Sequence, residues 1–152
     1  MERVFLGGTT AGTTWRVGLI DRLQARGVRT EQIFNPHLPK GVPYTLEFME
    51  EETRVKNDPN TIVLMHICPA NKNPDTNELL GPISMYEIGR YGWTQPHRTA
   101  IVLGHELFTK SRSKKVLQGI AAEFSNVFGT DNPPYFSSLP AAENWIVSQL
   151  VE

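Results

Sequence analysis

Apolar positions along the chain fall into two kinds of run, short continuous ones and longer ones with helical spacing. Val4-Phe5-Leu6 is a short run that stops at Gly7-Gly8, as a buried strand does on entering a turn. From Thr14 the spacing turns helical: Leu19, Ile20 and Leu23 share a face, and Gly27 closes the segment as a C-terminal cap. Gln32-Ile33-Phe34 reads as a second strand ended by Asn35-Pro36, and residues 45–57 as a second helix stopped by Asp58-Pro59. Residues 62–67 are almost continuously apolar, the pattern of a central parallel strand covered on both faces. A third helix is predicted over 84–91, a fourth strand over 99–103 and a fourth helix over 114–124. A short fifth strand near 135–137 and a last helix over 141–150 complete the series.

Strands alternating with helices predict an α/β fold with right-handed crossovers. Five strands of this kind suggest a flavodoxin-like three-layer sandwich around a five-stranded parallel sheet. In such sheets ligands sit beyond the carboxyl ends of the strands. That directs attention to residues 7–15, 36–44, 68–84 and 104–111. The chain of 152 residues is expected to form one domain over 1–152, with enough surface to bury to need no disulfide or structural metal. A net charge of -1 gives no electrostatic case for a nucleic-acid polymer as partner, and one cysteine rules out a disulfide framework. The N-terminus lacks the pattern of a signal peptide, and no apolar stretch approaches the ~20 residues that span a bilayer. The expectation is a cytoplasmic protein without a membrane partner.

The first of these turns runs Gly7-Gly8-Thr9-Thr10-Ala11-Gly12-Thr13-Thr14-Trp15-Arg16. Its glycines permit close backbone approach, and the helix start that follows offers free amides that favour an anion. The threonine hydroxyls could hold a sugar or a phosphate. It is neither a G-x-G-x-x-G nor a Walker A motif. An ordinary strand–helix turn with a threonine cap is the bland alternative. Arg16 lies on the inward face of the first helical turn, where it either reaches into the cleft or snorkels to solvent. In the second helix Glu47, Glu50 and Glu51 point away from the apolar stripe of Phe48, Met49 and Val55, whereas Glu52 falls within it. An inward carboxylate needs a partner, and a polar active site would supply one.

Residues 68–80 form a long stretch without apolar periodicity, of the sort that in compact domains usually carries function. Ser84 and Glu87 then match a capping box, a purely structural role. The functional alternative places Glu87 in the first turn of a helix at the ligand edge of the sheet, where free amides would favour its ionised form. His66 sits within the central strand and is expected to be a satisfied core residue. His105-Glu106 follows the fourth strand, but no metal-ligand spacing occurs among the histidines. Lys110, Arg112, Lys114 and Lys115 read as a solvated surface, and Cys68 as a small apolar residue.

Val4 to Gly8 with Trp15-Arg16, the glutamate-bearing helix at 45–57 and Ser84-Met-Tyr-Glu87-Ile-Gly89 together resemble the nucleoside 2-deoxyribosyltransferase-like family. The resemblance runs in order over about residues 3–92. It departs at the segment before the glutamate, which here is Leu-Leu-Gly-Pro-Ile-Ser, and at the first turn, which is Gly-Gly-Thr-Thr. The resemblance implies a flavodoxin-like domain, often oligomeric, that works on a nucleoside or nucleotide without metal or organic cofactor. Glu87 is then the nucleophile, and Glu52 helps orient the substrate. Gly7, Gly8, Thr9, Thr10, Thr13, Trp15, Arg16 and Ser84 form the substrate-binding set.

That chemistry is coherent, because departure of a base leaves a cation-like sugar carbon that a carboxylate can trap, as in retaining glycosidases. Two other uses of the same cleft are a non-catalytic module for a nucleotide or ADP-ribose-like ligand and, by analogy of fold alone, cleavage of the nicotinamide bond of NAD.

Overall fold

The structure is a computed structural model that describes residues 2–10, 13–69, 82–109, 111–129 and 135–151. Five strands, β1 (Arg3–Gly8), β2 (Ile33–Phe34), β3 (Thr61–Ile67), β4 (Thr99–Leu103) and β5 (Tyr135–Phe136), form one all-parallel sheet in the order β2-β1-β3-β4-β5. Five helices connect and follow them: α1 (Trp15–Ala25), α2 (Leu46–Asn57), α3 (Pro82–Thr94), α4 (Ser111–Phe128) and α5 (Leu139–Leu150). This is the expected flavodoxin-like three-layer sandwich.

The two-residue period of the strands sorts the core into two layers. Phe5, Val63, Met65, Ile101 and Leu103 face Val55 of α2, Ile88 and Tyr91 of α3, and Leu117 and Phe124 of α4. Val4, Leu6, Leu64 and Val102 face Leu19 and Leu23 of α1 and Ile146 and Leu150 of α5. Every residue of β3 is buried, including Thr61 and His66, in keeping with its nearly continuous apolar run. Across the α1–α5 layer, Glu143 is buried and accepts hydrogen bonds from Arg22 at 2.8 Å and Arg26 at 3.4 Å.

Helix ends follow local chemistry. Gly27 has φ +94°, and the amides of Gly27 and Val28 donate to the carbonyls of Gln24 and Leu23, the Schellman arrangement that stops α1. The Thr45 hydroxyl accepts from the Phe48 amide at 3.2 Å and caps α2. α3 differs from the expectation, since it begins at Pro82 rather than Ser84. Proline is well suited to a first helical position, because its missing N–H would have no partner there. Ser84 therefore lies within the helix and Glu87 in its second turn, so the capping box does not form, and Glu87 does not stand among the free amides of the first turn. α4 is likewise longer than its periodic stretch at both ends.

No helix among the described residues is long and apolar enough to cross a membrane.

Candidate active site

Strand order 2-1-3 places a topological switch point between β1 and β3, where connections leave in opposite directions and open a crevice at the carboxyl edge. A cleft of about 480 Å³ occupies this edge, within the range of small-molecule sites. Phe5, Gly7 and Gly8 from β1, with Thr10 and Arg16, line it. So do Pro36, His37, Leu38, Val42 and Tyr44 of the β2–α2 connection, and Ile83, Ser84 and Glu87 of α3.

The first turn is built to hold its own shape. Gly8 pairs with His66 in the β1–β3 ladder at φ +111°, and a Cβ there would overlap the His66 carbonyl. The glycine is thus required by both conformation and close approach. Past Gly8, the Thr9 amide donates to the His66 carbonyl at 2.9 Å, and the Thr9 hydroxyl accepts from the Cys68 amide at 3.2 Å. Thr13 turns its hydroxyl back to the carbonyls of Thr9 at 3.1 Å and Thr10 at 3.2 Å. The Trp15 indole donates to the Thr9 carbonyl at 2.9 Å, and its ring meets His66 edge-on, 4.9 Å between centroids. The Thr9 and Thr13 hydroxyls and the Trp15 indole are therefore committed to the turn, and these three residues stand outside the lining of the cleft.

Arg16 lines the cleft, as one of its two sequence readings expects, and its guanidinium is also engaged by the backbone. It is buried, and its guanidinium stacks 4.2 Å from the Trp15 ring. It donates to the carbonyls of Leu6 (2.8 Å), Thr9 (2.9 Å) and Gly8 (3.1 Å). β2 ends at Phe34, opposite Phe5, because Asn35-Pro36 follows. Alternate carbonyls of a parallel strand point the same way, so Leu6 and Gly8 extend past the end of β2, and the guanidinium takes the place of the missing strand. Burial pushes Arg16 down to about 10, with Cys68 and then Glu52 opposing the shift.

His66 is buried as expected but is not satisfied, as its Nδ1 has no hydrogen-bond partner among the described residues. Burial first, and the charge of Arg16 second, push it down to about 4. It is a neutral ring at physiological pH. Cys68 is buried too, and desolvation raises its thiol above the ordinary value, against reactivity.

The two carboxylates picked out in the sequence are both found on the cleft side of the sheet, each with a partner. Glu87 lines the cleft with its side chain 15% exposed, and its Oε1 accepts from the ammonium of Lys56. Glu52 is buried and stands outside the lining; the hydroxyl of Tyr44, which does line it, donates to Glu52. Tyr44 is thereby interposed between Glu52 and the cleft. Desolvation, the bond to Glu52 and the negative charges of Glu52 and Glu87 together push the Tyr44 hydroxyl up to about 12, so it keeps its proton and serves as a neutral hydrogen-bonding group. An aromatic series holds it in place: Tyr44 edge-on to Phe48 at 5.5 Å, Phe48 on Phe34 at 6.0 Å, Phe34 on Phe5 at 5.4 Å.

Of the residues expected to bind or react, Gly7, Gly8, Thr10, Arg16, Ser84 and Glu87 converge on one cleft. Lys56 and Tyr44 were not singled out in the sequence. Lys56 had a signal, since it follows Glu52 by four residues and so shares its inward face. Tyr44 sits in a connection at the ligand edge and immediately before a helix cap. Of the residues 68–80 expected to be functional, those from 70 onward lie outside the described residues, as does Lys110. No three His, Cys, Asp or Glu side chains that could hold a metal gather among the described residues. Compared with family models, curated proteins and solved structures, the chain shows no match to any.

Proposed function

We propose that the protein cleaves the N-glycosidic bond of a 2-deoxynucleoside or its nucleotide and passes the sugar to another base or to water. A Glu87 oxygen attacks the anomeric carbon while the carbon–nitrogen bond breaks. The bonding pair leaves with the base, which takes up a proton. A glycosyl ester of Glu87 remains. An acceptor base nitrogen or a water oxygen then attacks the same carbon, the ester carbon–oxygen bond returns its pair to the carboxylate, and the acceptor releases a proton that balances the first. The Tyr44 hydroxyl, held by Glu52, orients the sugar or base across the cleft.

One observation carries this reading: a carboxylate largely withdrawn from solvent forms part of the wall of a cleft large enough for a nucleoside, at the carboxyl edge where such folds bind ligands. The test is base exchange among the four natural 2-deoxynucleosides and added free bases. Exchange or hydrolysis by the wild type, abolished in Glu87→Ala, is expected; full activity in Glu87→Ala would refute the assignment. The ion pair with Lys56 favours a second reading, since a paired carboxylate is a quenched nucleophile, and the cleft would then be a nucleotide- or ADP-ribose-binding module. A thermal shift on adding nucleotide, with no product after long incubation, would select it.

A further inference from the structure

We infer that Lys56 is a positioning residue that drives breakdown of the glycosyl–Glu87 ester, an inference that rests on the function proposed above. Lys56 stands in the last turn of α2 with its side chain only 11% exposed, outside the lining of the cleft. Its ammonium contacts Oε1 of Glu87 and lies 5.2 Å above the ring of Phe5. It is thus shut between an aromatic floor and one oxygen of the carboxylate.

This arrangement divides the two carboxylate oxygens. Oε1 belongs to Lys56, which leaves Oε2 as the oxygen available to attack a sugar in the cleft. Once Oε2 has bonded to the anomeric carbon, the carboxylate charge is gone, and Lys56 faces a neutral ester. Glu52, one turn away on the same helix, already holds the Tyr44 hydroxyl, and Glu87 is the carboxylate that pairs with Lys56 among the described residues. A cation so enclosed is costly without an anionic partner. The ester state is therefore raised relative to the free carboxylate. When water or a base attacks the sugar carbon, the electron pair returns to Glu87 and the ion pair re-forms. Lys56 makes Glu87 a better leaving group in the second step, and the charge it places on Glu87 before the first step keeps that step from being fast.

The experiment compares wild type with Lys56→Met and Lys56→Arg, using whichever natural 2-deoxynucleoside the wild type consumes fastest. Steady-state kinetics are read together with the fraction of enzyme carrying a sugar adduct after rapid quench and intact-mass measurement. Lys56→Met is expected to slow ester breakdown by about 10- to 100-fold, the rate equivalent of one charge-assisted hydrogen bond. Its kcat and KM then fall together, KM by more, so that kcat/KM rises by a few-fold as ester formation loses its brake, and adduct accumulates during turnover. Lys56→Arg, which keeps the charge, restores breakdown. Lys56→Gln replaces the methionine variant if that one does not fold. A purely structural role would lower stability without moving the balance between the two steps. Adduct in all variants with equal breakdown rates overturns the role of Lys56 and leaves the nucleophile intact. No adduct in any variant, with activity surviving Glu87→Gln, overturns the parent reading and this one with it.

Discussion

Replacing Arg16 by methionine should cost the fold about 3 kcal/mol at neutral pH, and the figure follows from what the guanidinium touches. It donates to the carbonyls of Leu6, Thr9 and Gly8 at 2.8, 2.9 and 3.1 Å from a site only 4% exposed. A hydrogen bond involving a charged group contributes about 1.5–3 kcal/mol, so three give a gross gain of about 4–9 kcal/mol. Against this stands the burial that pushes Arg16 down to about 10, a depression worth about 3 kcal/mol. The difference centres near 3 kcal/mol, or roughly 6–12 °C in melting temperature for a domain of this size. Urea unfolding at pH 7 measures it directly, with an unchanged m value showing that the comparison is between like states. Arg16→Lys should recover less than half, because a single ammonium cannot span three carbonyls as a planar fork does. A loss below about 1 kcal/mol in the methionine variant would refute the argument. It would mean that the carbonyls beyond the end of β2 need no protein donor.

Other outcomes follow from the same geometry. Gly8→Ala must escape both a positive φ and an overlap with the His66 carbonyl, and should lose about 3 kcal/mol or more on the same urea assay. His66 is held near 4 when folded and titrates near 6.5 when unfolded. Between those values the unfolded chain binds the extra proton, so stability falls as pH drops. From pH 7 to 5 the wild type should lose about 2 kcal/mol that His66→Asn does not lose. Tyr44→Phe and Glu52→Gln should each lower kcat/KM by about tenfold. The double variant should be little worse than either single one, because the two side chains act through one hydrogen bond.

Where the physics is local, the sequence was a good guide. The nearly continuous apolar run at 62–67 has the pattern of a strand covered on both faces, and Gly27 marks the end of α1 to the residue. Glu52 was identifiable as inward because helical geometry separates it from Glu47, Glu50 and Glu51. Ser84-x-x-Glu87 misled, since it satisfies a local capping pattern while Pro82, two residues earlier, starts the helix. The helical spacing of α4 ends at Phe124, whereas the helix continues to Phe128, whose ring packs 5.4 Å from Trp93 of α3, a contact made only in the folded chain. The partners of the carboxylates were hidden for the same reason. Lys56 and Glu87 are brought together across two helices, and Arg16 finds its carbonyls only because β2 is two residues long.

The proposed reaction requires Glu87 to form a bond to a sugar. Incubation with a 2-deoxynucleoside analogue whose ester breaks down slowly, followed by proteolysis and peptide mass spectrometry, tests this most directly. The expected result is a mass increase of one deoxysugar residue on the peptide bearing Glu87, absent in Glu87→Gln. A sugar carried on any other side chain, or turnover of the analogue by an enzyme that never carries one, would contradict it.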